Sequence, residues 1–316
     1  MKTYLSILCS TFLFCCSQNK KMVTNNYEAK ISPAPVPLVA GGVGGFFDNQ
    51  GHRGCRGLMP ENTVAAMVHS LDFGITTLEM DISISKDKKV FLSHEPFFNH
   101  EITTKPDGTF ITEKDEKNYN MYLMNYDSII KYDVGLKPHP RFAEQQKIKA
   151  VKPLLADVFA AIKQEMITRR RPFPQYNIET KTLPATDNIY HPAPAEFVDL
   201  LMKVIKENGM EDFVTIQSFD YRTLQYLHKN YATIKTAMLI EDYDKRTFET
   251  QIKDLGFLPS IYSPAYNLVN EALISKCHQQ KIKIIPWTVN DKTKMAELKA
   301  LGVDGIISDY PNLFNE

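Results

Sequence analysis

The stretch Gly51-His-Arg-Gly-Cys-Arg-Gly-Leu-Met-Pro-Glu-Asn-Thr63, read together with Leu78-Glu-Met-Asp81 and His94, decides how the rest of the chain is understood. It reads as a strand that delivers His52 to a mouth, then a helix opened by Pro60-Glu-Asn-Thr63, then a second strand carrying Glu79 and Asp81. Side chains two apart on a strand share a face. Glu79 and Asp81 can therefore bind one hard cation, with His52 and His94 as proton carriers beside it.

Outward from this stretch, strands and helices alternate. Val64, Ala65, Val68 and Leu71 follow at helical spacing behind a cap from Asn62 or Thr63, and Gly74 ends the helix. Ile75 to Ser83 reads as the second strand, and Lys89 to Ser93 as a short strand that brings in His94. Glu95 to about Lys152 is a long, polar, tyrosine-bearing insertion. Pro153 to Met166 is helical, and the Arg169-Arg-Arg171 cluster after it reads as a solvated helix end. Tyr176-Asn-Ile-Glu-Thr-Lys181 is a strand with Glu179 and Lys181 on one face. It lies between two helices, so both its faces should be buried, and two buried charges are costly without a task. Further strands are expected at 213–220, 233–240, 260–263, 282–287 and 302–309, each separated by a helix. Eight strand–helix units imply a (β/α)8 TIM barrel, with polar residues at the C-terminal ends of its strands and an insertion after the second.

The motifs resemble those of the glycerophosphodiester phosphodiesterase family: His-Arg-Gly, Pro-Glu-Asn-Thr, Glu-x-Asp, a histidine after a short second strand, and Asn-Ile-Glu-x-Lys. The resemblance runs from about Gly51 to Asn312. It implies hydrolysis of glycerophosphodiesters to sn-glycerol 3-phosphate and an alcohol, with Glu79, Asp81 and Glu179 as ligands of one divalent ion. An all-oxygen donor set suits Mg²⁺ or Ca²⁺. The resemblance further implies attack by the substrate's own glycerol hydroxyl. One of His52 and His94 takes a proton and the other gives one, and the sequence leaves open which does which. Arg53 and Lys181 would hold phosphate oxygens. Trp287 would wall the glycerol backbone, Glu61 would lie at the site, and the insertion would cap the mouth. Gln217 and Asp309 could line the mouth or cap the following helices. The remaining histidines weighed, His69, His100, His191, His228 and His278, read as packed or surface residues.

The chain has 316 residues, 43% hydrophobic and 23% charged, with 37 basic and 37 acidic residues. That balance offers no bulk field for a polyanion, so a nucleic-acid partner is not expected. Residues 1–16 read as an export signal of lipoprotein type. The apolar run Tyr4 to Cys15 is too short to span a bilayer, which takes about 20 residues. Leu13-Phe-Cys-Cys16 resembles a bacterial lipobox, with Cys16 as the lipidated residue. Residues 17–45 would be tether and lead-in, and 46–316 the barrel, with the insertion at about 95–152. The domain would then face the periplasm or cell surface. Of five cysteines, only Cys55 and Cys277 fall in the barrel, which is no disulfide framework, and Cys55 reads as a plain packed residue. Two other functions fit the same residues. One is a barrel phosphodiesterase acting on phospholipid or a teichoic-acid-like polymer. The other is a non-catalytic lipoprotein that binds a headgroup.

Overall fold

A computed structural model of the protein describes residues 46–315. The signal, the tether and Cys16 lie outside the described residues. Within them, nine strands alternate with eight helices. The strands are β1 (Asp48–Gly51), β2 (Thr77–Ile84), β3 (Val90–Leu92), β4 (Gln175–Thr180), β5 (Val214–Ser218), β6 (Lys235–Ile240), β7 (Ile261–Pro264), β8 (Lys283–Ile284) and β9 (Gly305–Ser308). The helices are α1 (Val64–Ser70), α2 (Tyr126–Ile129), α3 (Leu155–Arg169), α4 (Pro194–Glu207), α5 (Tyr221–Asn230), α6 (Phe248–Leu255), α7 (Glu271–Gln279) and α8 (Lys292–Leu301). No helix among the described residues is long and apolar enough to cross a membrane.

Eight strands pair in parallel in the order β8-β7-β6-β5-β4-β2-β1-β9. The ring closes through backbone bonds from Asp304 N to Ile284 O (2.9 Å), Ile307 N to Pro286 O (3.0 Å) and Val289 N to Ile307 O (2.9 Å). This is the expected (β/α)8 barrel. β3 is not one of its staves, because it pairs antiparallel with β2 as the return arm of a hairpin. The stave expected over 282–287 keeps its ladder only at Lys283–Ile284. Pro286 has no N–H to donate, and pairing resumes where Trp287 N reaches Pro264 O at 3.0 Å.

The main core lies between staves and helices, where Leu78, Met80, Ile82, Tyr176, Ile178, Ile216 and Met238 meet the apolar stripes of the helices. On α4, Phe197, Val198, Leu201, Met202 and Ile205 recur at helical spacing and are all buried. Burying each such side chain stabilises the fold by about 1.5–3 kcal/mol. The helices start where short polar side chains accept their first N–H groups. Thr63 accepts from Ala66, Asp220 from Arg222, Asn270 from Leu273 and Asp291 from Lys294. The arginines at the end of α3 are less free than expected. Arg169 pairs with Asp72 and Glu165, and Arg171 donates to Leu71 O at 2.7 Å.

The insertion packs Phe98, Ile102, Ile111, Met121, Ile129 and Val134 into a second core against Phe91 of β3. Phe98 stacks on Tyr132 with ring centroids 4.0 Å apart. Gln145 donates to Arg56 O (2.7 Å), which ties the insertion to the loop after β1.

Candidate active site

Strand register puts the charged residues together. Pairing of β2 with β4 sets Asp81 beside Glu179, and pairing of β4 with β5 sets Glu179 beside Gln217. Every residue of β2 is buried, Glu79 and Asp81 included. The loop after β1 closes over them through two non-glycine residues in the left-handed region, Arg53 (φ 49°) and Asn62 (φ 54°). Both are held by the carboxylates beneath. Arg53 N donates to Glu79 Oε2 (2.8 Å), and Asn62 Nδ2 donates to Asp81 Oδ2 (2.8 Å) while its Oδ1 accepts from Asp81 N (3.1 Å). Gly54 (φ 84°) completes the turn, and a Cβ there would stand 2.6 Å from the backbone of Ala66 on α1.

Glu79, Asp81 and Glu179 offer one oxygen each within 4.8 Å of one another, all three buried. Glu79 Oε1 accepts from Gln217 Nε2 (2.7 Å), and Glu179 Oε1 accepts from Lys181 Nζ (2.7 Å). Asp81 Oδ1 is buried without a hydrogen-bond partner. An orphaned anionic oxygen among two further carboxylates fits a bound cation. The protonation tendencies agree. Burial, then Asp81 beside it, pushes the Glu79 carboxyl well above the usual range. Burial pushes Glu179 up to about 7 against the pull of Lys181. Asp81 stays low despite burial because Arg53, His94 and Lys181 surround it.

Each histidine is held by a carboxylate on Nδ1. His52 pairs with Asp309 Oδ1 at 2.6 Å, and Asn290 Nδ2 in turn donates to Asp309 Oδ2 at 2.7 Å. His94 pairs with Glu95 Oε1 at 2.6 Å. A carboxylate acceptor keeps the proton on Nδ1 and leaves Nε2 as the reacting atom. His52 Nε2 stands 3.9 Å from Glu79 Oε2. Burial lowers the pKa of both imidazoles, more than Asp309 and Glu95 raise it. The two carboxylates are held below the usual range by the histidines, against the effect of their own burial.

Arg53 lies 2.9 Å from Glu61 through Nη1 and 3.1 Å from Asp81 through Nε. Arg56 Nε lies 2.9 Å from the other oxygen of Glu61. Glu61 thus sits between two buried guanidiniums and does not line the cavity, so its place at the site is behind Arg53. The other expected residues converge on a pit of about 300 Å³. His52, Arg53, Glu79, His94, Glu179 and Lys181 line it, Trp287 forms a wall and Asp81 is fully buried. Trp287 Nε1 is fixed on Ser263 O at 2.9 Å, and its ring meets Phe219 edge-on at 5.4 Å.

The sequence left Asp309 and Gln217 open between lining the mouth and capping a helix; Gln217 lines the pit, and the two are hydrogen-bonded to His52 and Glu79. Asn62 clamps Asp81, while Thr63 alone caps α1. Lys152, at the end of the insertion, is 4% exposed and bonds Ser93 Oγ at 2.8 Å. The only sequence signal for the first two was their position at strand ends. Cys55 is fully buried, donates to Ala66 O and has its thiol pKa pushed up by burial, as a packed residue should. Beside the pit a cavity of about 810 Å³ opens, sharing His94, Glu179, Lys181, Phe219 and Glu241 with it.

The Glycerophosphoryl diester phosphodiesterase family model matches residues 52–313. A glycerophosphodiester phosphodiesterase of Bacillus altitudinis is 28% identical over 263 residues, covering 83% of this chain and 94% of its own. A solved structure of a Silicibacter pomeroyi protein assigned to the glycerophosphoryl diester phosphodiesterases superposes with a TM-score of 0.76 at 26% identity, over 86% of this chain and 93% of that one. An Oleispira antarctica phosphodiesterase, solved in complex with the product sn-glycerol-3-phosphate, shares the fold with a TM-score of 0.66 at 18% identity, over 85% and 97% of the two chains. With the barrel, the acidic triad and both histidines in one pit, this chain belongs to the glycerophosphoryl diester phosphodiesterase family.

Proposed function

We propose that the barrel hydrolyses glycerophosphodiesters to sn-glycerol 3-phosphate and an alcohol, with one divalent cation, Mg²⁺ or Ca²⁺, as its cofactor. The observation that carries this reading is the pit itself, where two carboxylate-oriented histidines face three buried carboxylates, one with an orphaned oxygen. Glu79, Asp81 and Glu179 would hold the ion, which supplies Lewis-acid stabilisation of charge on the phosphoryl oxygens.

The chain's own residues divide the remaining work. Arg53 commits Nη1 to Glu61 and leaves Nη2 without a partner among the described residues; with Lys181 it holds the phosphate oxygens. Trp287 walls the glycerol, fixed in place by its indole N–H. His52 lines the pit alone, whereas His94 lines both the pit and the larger cavity. That asymmetry supports His52 Nε2 as the base for the glycerol 2-hydroxyl and His94 Nε2 as the acid for the alcohol departing into the larger cavity. The 2-oxygen bonds to phosphorus as the phosphorus–alkoxy bond breaks, which closes a five-membered cyclic phosphate. Water then opens the ring with the two histidines exchanging roles.

The test is release of glycerol 3-phosphate from glycerophosphocholine by the full-length protein in detergent, with EDTA and then with Mg²⁺ or Ca²⁺ restored. Release that needs the ion and falls by about 10²-fold or more in His52→Ala and His94→Ala is expected. Turnover untouched by EDTA, or by both substitutions, would remove the mechanism.

We also propose that residues 1–16 direct export and that Cys16 carries a lipid anchor holding the barrel at the periplasmic face or the cell surface. The support is the apolar run Tyr4 to Cys15 and the Leu13-Phe-Cys-Cys16 box. Incorporation of radiolabelled palmitate that survives Cys16→Ser would refute it.

A further inference from the structure

The larger cavity differs from the pit in what lines it. Phe97 from the insertion, Tyr190 from the β4–α4 loop, Phe219 after β5 and Tyr243 after β6 contribute aromatic surface. Phe97 and Tyr190 meet edge to face with centroids 5.9 Å apart. Phe219 belongs to the walls of both cavities. So does Glu241, the first residue beyond β6, which has neither an ion pair nor a side-chain hydrogen bond among the described residues.

The other charges on this wall are already occupied or remote. Glu179 and Lys181 bind each other, and Arg246 is paired with Asp244 (2.7 Å) and Asp254 (2.9 Å). Lys245 donates to Asp242 O, and Lys117 is solvent-exposed. Glu241 is therefore the one carboxylate at the junction without an ion pair of its own; burial and the adjacent Asp242 push its pKa up more than Lys181, already bound to Glu179, pulls it down. An unpaired carboxylate beside aromatic faces is the environment that binds an organic ammonium, through cation–π attraction and charge together. A polyhydroxylated alcohol gains neither.

Given the hydrolase reading, we infer that this cavity is the leaving-alcohol subsite and selects diesters whose alcohol carries an ammonium group, such as choline or ethanolamine. Glu241 faces the positive charge, Phe97, Tyr190 and Phe219 flank it, and Tyr243 stands exposed at the rim. His94 stands where the pit and this subsite join, so the bond that breaks lies at the boundary between them.

The experiment is kcat/KM for glycerophosphocholine, glycerophosphoethanolamine and glycerophosphoglycerol, on the full-length protein and on Glu241→Gln and Phe97→Leu. The ratio of each cationic substrate to glycerophosphoglycerol should fall about five- to tenfold in Glu241→Gln. Phe97→Leu should lower the choline ratio more than the ethanolamine ratio, because a quaternary ammonium depends more on ring faces. Lysophosphatidylcholine carries the same headgroup on a lipid, and Glu241-dependent turnover of either carrier supports the subsite. Unchanged ratios in both variants would overturn the inference while leaving the hydrolase reading intact. Turnover of none of these diesters by the metal-loaded wild type would sink that reading, and this subsite with it.

Discussion

Replacing Asp309 by asparagine removes the carboxylate that accepts from His52 Nδ1 at 2.6 Å while keeping the shape that Asn290 binds. The expected loss follows from what that carboxylate does. A hydrogen bond to a charged partner contributes about 1.5–3 kcal/mol. If that energy is realised as imidazolium forms in the transition state, its loss is about tenfold to 150-fold in kcat/KM. An amide that donates to Nδ1 would also stabilise the wrong tautomer, placing the proton on the Nε2 atom that must accept one. The pH profile adds a second sign. Burial lowers the His52 pKa and Asp309 raises it, so removing Asp309 moves it lower still. The acid limb of kcat/KM against pH should therefore shift to lower pH while the plateau drops. Thermal unfolding separates this from a folding defect: the asparagine retains its bonds to Asn290, and the Tm should fall by less than about 5 °C. A plateau within threefold of wild type with an unmoved acid limb would refute the role given to Asp309.

Divalent metal at about 100 times its Kd should stabilise the fold by about 2.7 kcal/mol, roughly 5–10 °C in Tm. The gain should be larger at pH 8 than at pH 5.5, because Glu79 and Glu179 have raised pKa values and hold protons that the ion must displace. A gain equal at both pH values, or one retained in Glu179→Gln, would contradict the triad. Glu61→Gln leaves Arg53 and Arg56 buried without their shared anion, and the expected cost of about 3 kcal/mol or more should lower the Tm by about 10 °C; a change under about 2 °C would show that the arginines are neutralised elsewhere. An aromatic disulfide reagent should leave Cys55 and Cys277 unlabelled in the native protein and label both after denaturation, because each is buried with its pKa pushed upward. Rapid native labelling of either would contradict the packing.

The barrel was legible because its signal is periodic and repeated: buried strands alternate with helices whose caps and stripes follow local rules. The triad was legible for the same reason, since Glu79 and Asp81 at i, i+2 must share a face and Glu179 lies in a strand with no solvent side. What stayed open depended on contacts distant in the chain. Asp309 reaches His52 only because β9 pairs with β1, 257 residues away in sequence. Gln217 reaches Glu79 only through the register of two intervening strand pairs. Asn62 and Thr63 are both capable helix caps, and nothing local shows that the left-handed turn at Asn62 sends its amide to Asp81 instead. The insertion hid its hydrophobic core because Phe98, Ile111, Met121 and Ile129 follow no single period, each coming from a separate loop or short helix.

The charges gathered around the pit explain why the site suits one divalent ion. Apart from Glu241, at the junction with the larger cavity, six carboxylates, Glu61, Glu79, Asp81, Glu95, Glu179 and Asp309, surround it or stand just behind it, against four basic side chains, Arg53, Arg56, Lys152 and Lys181. With both histidines neutral, two negative charges are left over. Without metal, protonation can remove them, and among these six the carboxyls driven upward in pKa are Glu79 and Glu179, while the other four are driven downward. Two protons and one divalent cation are thus alternative answers to the same imbalance, at the same carboxylates; a monovalent ion would leave one charge uncompensated. The phosphodiester then brings one further negative charge. A single protonated histidine balances it, which is the protonation state that one acid and one base require.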